Sequence, residues 1–309
     1  MKMQNFIAIA DYSAEELQHI LDVSTDLKKE LKNGGNKPIL QGKTLALIFQ
    51  KPSLRTRVSF EIGMHQLGGY AFYLSPDEIG LGKREATKDI AQVISGYVDA
   101  IMARVFSHKD ILDLAKYSGI PVINGLSDYN HPCQAMADML TIEEEFHQVK
   151  GLNVSFIGDG NNVAVSLMHI CTKLGANFSI ANPEGYNLPE NAIEEAKAFA
   201  KLSGSELHFY RDPSQVALNA NVLYTDTWVS MGEESEKEKR TMVFKPYQIN
   251  QELLNKASKD VIVMHCLPAH RGQEITDDVM DGPHSRVFPE AHNRMHAQKG
   301  VMACLLGNM

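Results

Sequence analysis

Short apolar runs alternate with helix-length amphipathic segments along almost the whole chain, and this alternation constrains the fold more than any other feature. Thr44–Phe49, Ala71–Leu74, Asp99–Ala103, Pro121–Asn124, Asn153–Ile157, Asn177–Ala181, Val222–Thr225 and Val261–Met264 have strand length and polar or breaker flanks. The intervening segments space their apolar residues helically, as in Asn191–Leu202. Successive strands joined through helices pair in parallel and are covered on both faces. The expected fold is therefore α/β, with two domains, each a mostly parallel sheet flanked by helices. A chain of 309 residues suits two such units. Their boundary is placed at Val149–Lys150–Gly151, between a helix that follows Pro132 and a strand opening at Asn153. The first domain then covers residues 1–148, joined by a C-terminal helix near 290–309, and the second covers 149–289.

Local signals agree with this division. Ser13 and Glu16 form a capping box ahead of a stripe of Leu17, Ile20, Leu21, Leu27 and Leu31, and Gly34–Gly35 ends the helix. Gly232–Arg240 is polar and mixed in charge, either a mobile loop or an exposed helix. A net charge of -8 argues against nucleic acid or another polyanion as a partner. No apolar run reaches the ~18 residues a membrane span needs. The N-terminus lacks the pattern of a signal or transit peptide. Cys133, Cys171, Cys266 and Cys304 show neither C-x-x-C pairing nor zinc-ligand spacing. Together these features point to the cytoplasm.

Ligands of open α/β sheets bind beyond the carboxyl ends of the strands, and there the unusual residues gather. The first run leads into Lys51–Pro52–Ser53–Leu54–Arg55–Thr56–Arg57, and the third ends at Arg104. The fourth leads to His131–Pro132–Cys133–Gln134, and the fifth to Gly158–Asp159–Gly160–Asn161–Asn162. The last two lead to Asp226, Trp228, Ser230 and Met231, and to His265–Cys266–Leu267–Pro268. Ser53 is a good N-cap, so the following turn offers free N–H groups, two hydroxyls and two guanidiniums. That is either a capped helix with surface arginines or an anion cradle, and Arg104 on a neighbouring strand end favours phosphate. His131 is either part of a capping turn or a neutral donor to a carbonyl oxygen, with Gln134 beside it to hold an amide. Asn162 suits a polar substrate contact, and Asp226 either closes a turn or pairs with an ammonium group. Trp228 suits packing. Cys266 is either a pocket contact or a small core filler, and Leu267–Pro268 is a candidate cis bond. The glycines at 158 and 160 make a poor dinucleotide loop. Val163 stands at the third glycine position, and Ala181–Asn182–Pro183 lacks the acid that would hold a ribose.

At these residues the chain resembles the aspartate/ornithine carbamoyltransferase family, from near residue 6 to its C-terminus. Ser53–Arg57 is similar to the family's carbamoyl-phosphate signature, and Arg104 and His131–Gln134 to its other donor contacts. Asp226 with Ser230–Met231–Gly232, and His265–Pro268, resemble the members that use ornithine rather than aspartate. The resemblance implies a carbamoyl-phosphate domain followed by an ornithine domain, with the active site in the cleft between them. It implies that Ser53, Leu54, Arg55, Thr56, Arg104, His131, Pro132, Cys133, Gln134, Cys266, Leu267 and Arg294 bind carbamoyl phosphate. It further implies that Asn162, Asp226, Ser230 and Met231 bind ornithine, that Arg104, His131, Asp226 and Cys266 act on the reacting groups, and that the chain forms a homotrimer or a multiple of it. The expected reaction carries the carbamoyl group to the δ-amine of L-ornithine, giving L-citrulline and phosphate, and requires no metal and no organic cofactor. Putrescine and N-acylornithine are the alternative acceptors. Two residues depart from the family pattern. Leu54 stands where a threonine is usual, and Gly80 stands where members often place a glutamine that reaches a neighbouring subunit, a contact left to Lys83 or Arg84.

Overall fold

The computed structural model describes residues 3–82, 84–229 and 234–307. Their contacts divide the chain into two compact units, Met1–Leu140 with His292–Met309, and Thr141–Ala291. The division falls inside the helix Pro132–Phe146, upstream of Val149.

In the first unit, β1 (Thr44–Phe49), β2 (Tyr70–Leu74), β3 (Ala100–Arg104) and β4 (Val122–Leu126) form one sheet in the order β2-β1-β3-β4. All its pairings are parallel. Leu45 to Phe49 are all fully buried, because helices cover both faces of a parallel sheet and leave no side for polar alternation. On one face Ala46, Ile48, Ile101, Ala103 and Val122 pack with Ile111 and Leu114. The capping box of helix Ala14–Lys32 forms as expected, Ser13 N donating to Glu16 at 2.9 Å and Glu16 N to Ser13 Oγ at 3.2 Å. The C-terminal part of helix Val287–Leu306 is tied to this unit by the buried Lys299, which donates to Asn36 Oδ1 at 2.7 Å and Gln66 Oε1 at 3.0 Å.

In the second unit, β5 (Asn153–Ile157), β6 (Asn177–Ala181), β7 (Leu207–Tyr210), β8 (Val222–Thr225) and β9 (Ile262–His265) form a parallel sheet in the order β7-β6-β5-β8-β9. β7 is a strand the apolar pattern does not predict. It lies at the sheet edge with His208 and Phe209 exposed, so it lacks a buried run. In the polar stretch Gly232–Arg240, Gly232 and Glu233 lie outside the described residues and Ser235–Lys239 are exposed, as expected. Lys237–Phe244 is helical, but Arg240 is buried, donating from Nε to Trp228 O at 2.5 Å and pairing with Asp159 through Nη2. Its guanidinium lies 4.9 Å from the Tyr186 ring centroid. Trp228 packs as expected, stacked on Phe244. No helix among the described residues is long and apolar enough to cross a membrane.

Candidate functional site

In the first unit the strand order reverses between the parallel neighbours β1 and β3, and the chemistry lies just beyond the carboxyl ends of both. β1 ends at Phe49, and beyond it Ser53, extended at φ -157°, caps helix Leu54–Gln66 by accepting from Thr56 N at 3.3 Å. Arg104 closes β3 in register with Phe49. Its Nη1 donates to Thr56 Oγ1 at 3.4 Å, and Arg294 Nη2 reaches the same oxygen at 3.3 Å. Arg294 Nη1 also donates to Gln134 Oε1 at 2.7 Å, and Gln134 Nε2 donates to the buried Asp138 at 2.8 Å. Thr56, Arg104, Gln134 and Arg294 thus meet, from four separate stretches of chain. Guanidiniums gathered where water is scarce need compensating negative charge. Asp138 supplies one carboxylate, and a phosphate at the helix N-terminus would supply more.

His131 is buried beside this cluster. Burial, followed by the charges of Arg294, Arg104 and Arg55, holds its pKa well below the usual imidazole range. It is therefore neutral at physiological pH and able to donate a hydrogen bond without carrying charge. Cys133, fully buried, donates to Asn124 O at 3.4 Å, and burial pushes its thiol up to about 12. Any contact it makes with a ligand must use its backbone. Leu54, at the start of the helix that Ser53 caps, is 76% exposed. Pro132 opens the helix Pro132–Phe146. At Gly80 the backbone is left-handed (φ +55°), and a Cβ would stand 2.7 Å from Arg84 Cβ. A glutamine on this backbone would be strained. Lys83 lies outside the described residues.

In the second unit the sheet order reverses between β5 and β8, and the loops after these strands carry Asn161 and Asp226. Gly160 is required by close approach: a Cβ there would lie 2.3 Å from Leu188 N. Asn161 then caps helix Asn162–Leu174, its Oδ1 accepting from Val163 N at 3.0 Å and Ala164 N at 3.1 Å. Its Nδ2 donates to Asp226 Oδ2 at 2.8 Å. Asp226 Oδ1 accepts from Thr227 N at 2.7 Å and from the Cys266 thiol at 3.0 Å. Cys266 follows β9, and the Leu267–Pro268 peptide is cis. Leu267 is left-handed at φ +57°, and its N–H donates to His265 Nδ1 at 2.9 Å. A backbone N–H can only donate, so the ring proton sits on Nε2, 3.1 Å from Glu274 Oε1. Glu290 holds the same turn, accepting from His265 N at 2.9 Å and from Tyr224 Oη at 3.0 Å. Asp226, His265 and Cys266 bring one ligand-type atom each within 4.8 Å of one another. Both imidazole nitrogens are already engaged, so this group has no ready histidine ligand. Asn162 is half-buried at the first helical position. Ser230 and Met231 lie outside the described residues. Asn161, Asp138 and Arg240 are additions to the residues singled out from sequence.

Residues 4–144 match the family model for the carbamoyl-P binding domain of aspartate/ornithine carbamoyltransferase, and residues 150–305 match that for its Asp/Orn binding domain. The chain belongs to the aspartate/ornithine carbamoyltransferase family. A relative from Thermococcus kodakarensis named ornithine carbamoyltransferase is 52% identical, covering 99% of this chain and 97% of that protein. The solved structure of ornithine carbamoyltransferase from Pyrococcus furiosus has a TM-score of 0.97 at 51% identity, covering 99% of this chain and 98% of that one. That of the anabolic enzyme from Campylobacter jejuni has a TM-score of 0.93 at 39% identity, covering 98% and 99%. Membership in this carbamoyltransferase family also removes the dinucleotide alternative at Gly158–Gly160.

Proposed function

We propose that the chain transfers the carbamoyl group of carbamoyl phosphate to the δ-amine of L-ornithine, giving L-citrulline and phosphate. The observation that carries this reading is the convergence of Arg104 and Arg294 on Thr56 at a capped helix N-terminus, beside a neutral buried histidine. Free N–H groups and forked guanidiniums suit a phosphoryl group, and a neutral imidazole suits the carbonyl of a carbamoyl group. Ser53, Leu54, Arg55, Thr56, Arg104 and Arg294 hold the phosphate. His131 and Gln134 hold the carbamoyl group, with the backbone of Pro132, Cys133, Cys266 and Leu267 as further contacts. Asn162, Asp226, Ser230 and Met231 hold ornithine. The relatives' shared name supports a free amino acid as acceptor.

The acceptor amine has a reference pKa of ~10.4 and must lose its proton before it attacks. Desolvation and nearby guanidinium charge both favour the neutral amine. Attack on the carbamoyl carbon drives negative charge onto the carbonyl oxygen, where Arg104, His131 and the Thr56 hydroxyl donate. Preorganised donors of this kind are worth roughly 10²–10³ in rate each. Phosphate departs with the bonding pair into the Ser53–Thr56 cradle and takes up the amine proton.

We also assign a cytoplasmic setting and a homotrimeric assembly. Four free, buried cysteines support a reducing compartment. Val58, Ile62 and Tyr70, apolar and exposed on one helix and the β2 edge, support self-association. The test is colorimetric citrulline formation with ornithine, putrescine and N-acetylornithine as acceptors. Product is expected with ornithine alone, and Arg104→Ala is expected to lower kcat by at least about 10³ with an unchanged far-ultraviolet circular dichroism spectrum. Wild-type turnover in that variant, or faster turnover with another acceptor, would refute the assignment.

A further inference from the structure

We propose that Asn161 is a positioning residue for the amine acceptor, aiming the Asp226 carboxylate; this rests on the ornithine reading given above. Two backbone groups fix the direction of the Asn161 amide. Val163 N and Ala164 N donate to Oδ1 at 3.0 and 3.1 Å, so Oδ1 faces the helix and Nδ2 faces away from it. Nδ2 is thereby presented to Asp226 Oδ2 at 2.8 Å. The opposite oxygen of Asp226 is held by Thr227 N at 2.7 Å and Cys266 Sγ at 3.0 Å. The carboxylate plane is fixed from both sides by donors on three different loops, and the lone pairs left over define where a substrate ammonium or amine hydrogen can bind. Asn161 acts through Asp226 and does not itself need to touch the substrate.

Asparagine is the side chain that fits both tasks. Serine and aspartate also cap helices, but serine has no second arm to reach Asp226, and aspartate would set a carboxylate against a carboxylate. Gly160 puts the arm in place: with a Cβ only 2.3 Å from Leu188 N, any larger residue would push the turn off that backbone and take Asn161 with it.

The separation of these tasks supplies the test. Asn161→Ser and Asn161→Asp are compared with wild type in steady-state citrulline assays, varying each substrate at saturating levels of the other, alongside thermal melts. With the cap kept, both variants are expected to melt within a few degrees of wild type. Asn161→Ser is expected to lower kcat/KM for ornithine about tenfold or more, as when a hydrogen bond to a charged group is lost, and to leave KM for carbamoyl phosphate unchanged. Asn161→Asp is expected to lose more than Asn161→Ser, because repulsion is added to the lost bond. Unchanged kcat/KM for ornithine in Asn161→Ser, with an active wild type, would overturn the inference alone. Equal losses toward both substrates accompanied by a lowered Tm would also overturn it, by showing a merely structural role. An inactive wild type would overturn the ornithine reading and this inference with it.

Discussion

Cys266 shows how far a single residue can be read. Its place after a strand-length run marks it, yet a cysteine there serves equally well as core filler. The structure gives the thiol a polar partner, Asp226 Oδ1 at 3.0 Å, which supports the contact reading. Cys266→Ala removes that donor and is expected to lower kcat/KM for ornithine about tenfold, while Cys266→Ser keeps a donor and should retain most of the activity. Equal activity of the alanine and serine variants in the citrulline assay would show that the hydrogen bond is not what the thiol contributes. Asp226 and Arg104 are legible for the same reason as Cys266, since each ends or follows an apolar run. Asn161 is not singled out by that reasoning, because an asparagine before a helix is fully explained as a cap. Its second bond, to a residue 65 positions away, leaves no trace in local sequence. Asp138 is hidden in the same way, as one more acid in an amphipathic helix until Gln134 is seen to donate to it.

Among the elements, parallel strands buried on both faces write themselves into the sequence as continuous apolar runs, and β1, β5, β6 and β8 begin and end where those runs do. β7 escapes because an edge strand with two exposed positions has no such run. The burial of Arg240 escapes because a long cationic side chain in a charged segment ordinarily points to water. Only the tertiary fold brings Asp159, Trp228 and Tyr186 around it. The loop after β5 carries the sharpest steric demand at the site. An added methyl at Gly160 would meet Leu188 N at 2.3 Å and Asn187 C at 2.4 Å, both backbone atoms that cannot rotate aside. Gly160→Ala is expected to destabilise the chain by about 2 kcal/mol or more, in line with overpacking in rigid surroundings, and to depress turnover by displacing Asn161. A denaturant midpoint equal to wild type would mean that the 186–188 segment yields freely.

For the molecule as a whole, the histidines that fold neutral tie stability to pH. His131 is held well below the usual imidazole range by burial and then by Arg294, Arg104 and Arg55. His296 is pushed down to about 3 by burial first and then by Lys299, Lys28, Lys32 and His292. Burial also lowers His108, against opposing pulls from Asp128 and Asp11. Once unfolded, each imidazole takes a proton near ~6.5. Above that pH neither state is protonated at these sites and they contribute no slope. Below it the unfolded chain binds protons that the folded chain refuses, so stability falls on acidification, by about 1.4 kcal/mol per pH unit for His296 once the pH is well under ~6.5, with His131 and His108 acting in the same direction. Carboxylates held low by hydrogen bonds, such as Glu30 and Asp99, act in a more acidic window, below ~4. The interval from about 6.5 to about 4.5 therefore belongs to the histidines. Denaturant unfolding of the substrate-free protein at several pH values across that interval should give a steep loss of stability, and His296→Gln should lower the slope by about one proton. A slope unchanged by His296→Gln would mean that this imidazole is already charged in the folded chain, and that the lysines around it do not exclude its proton.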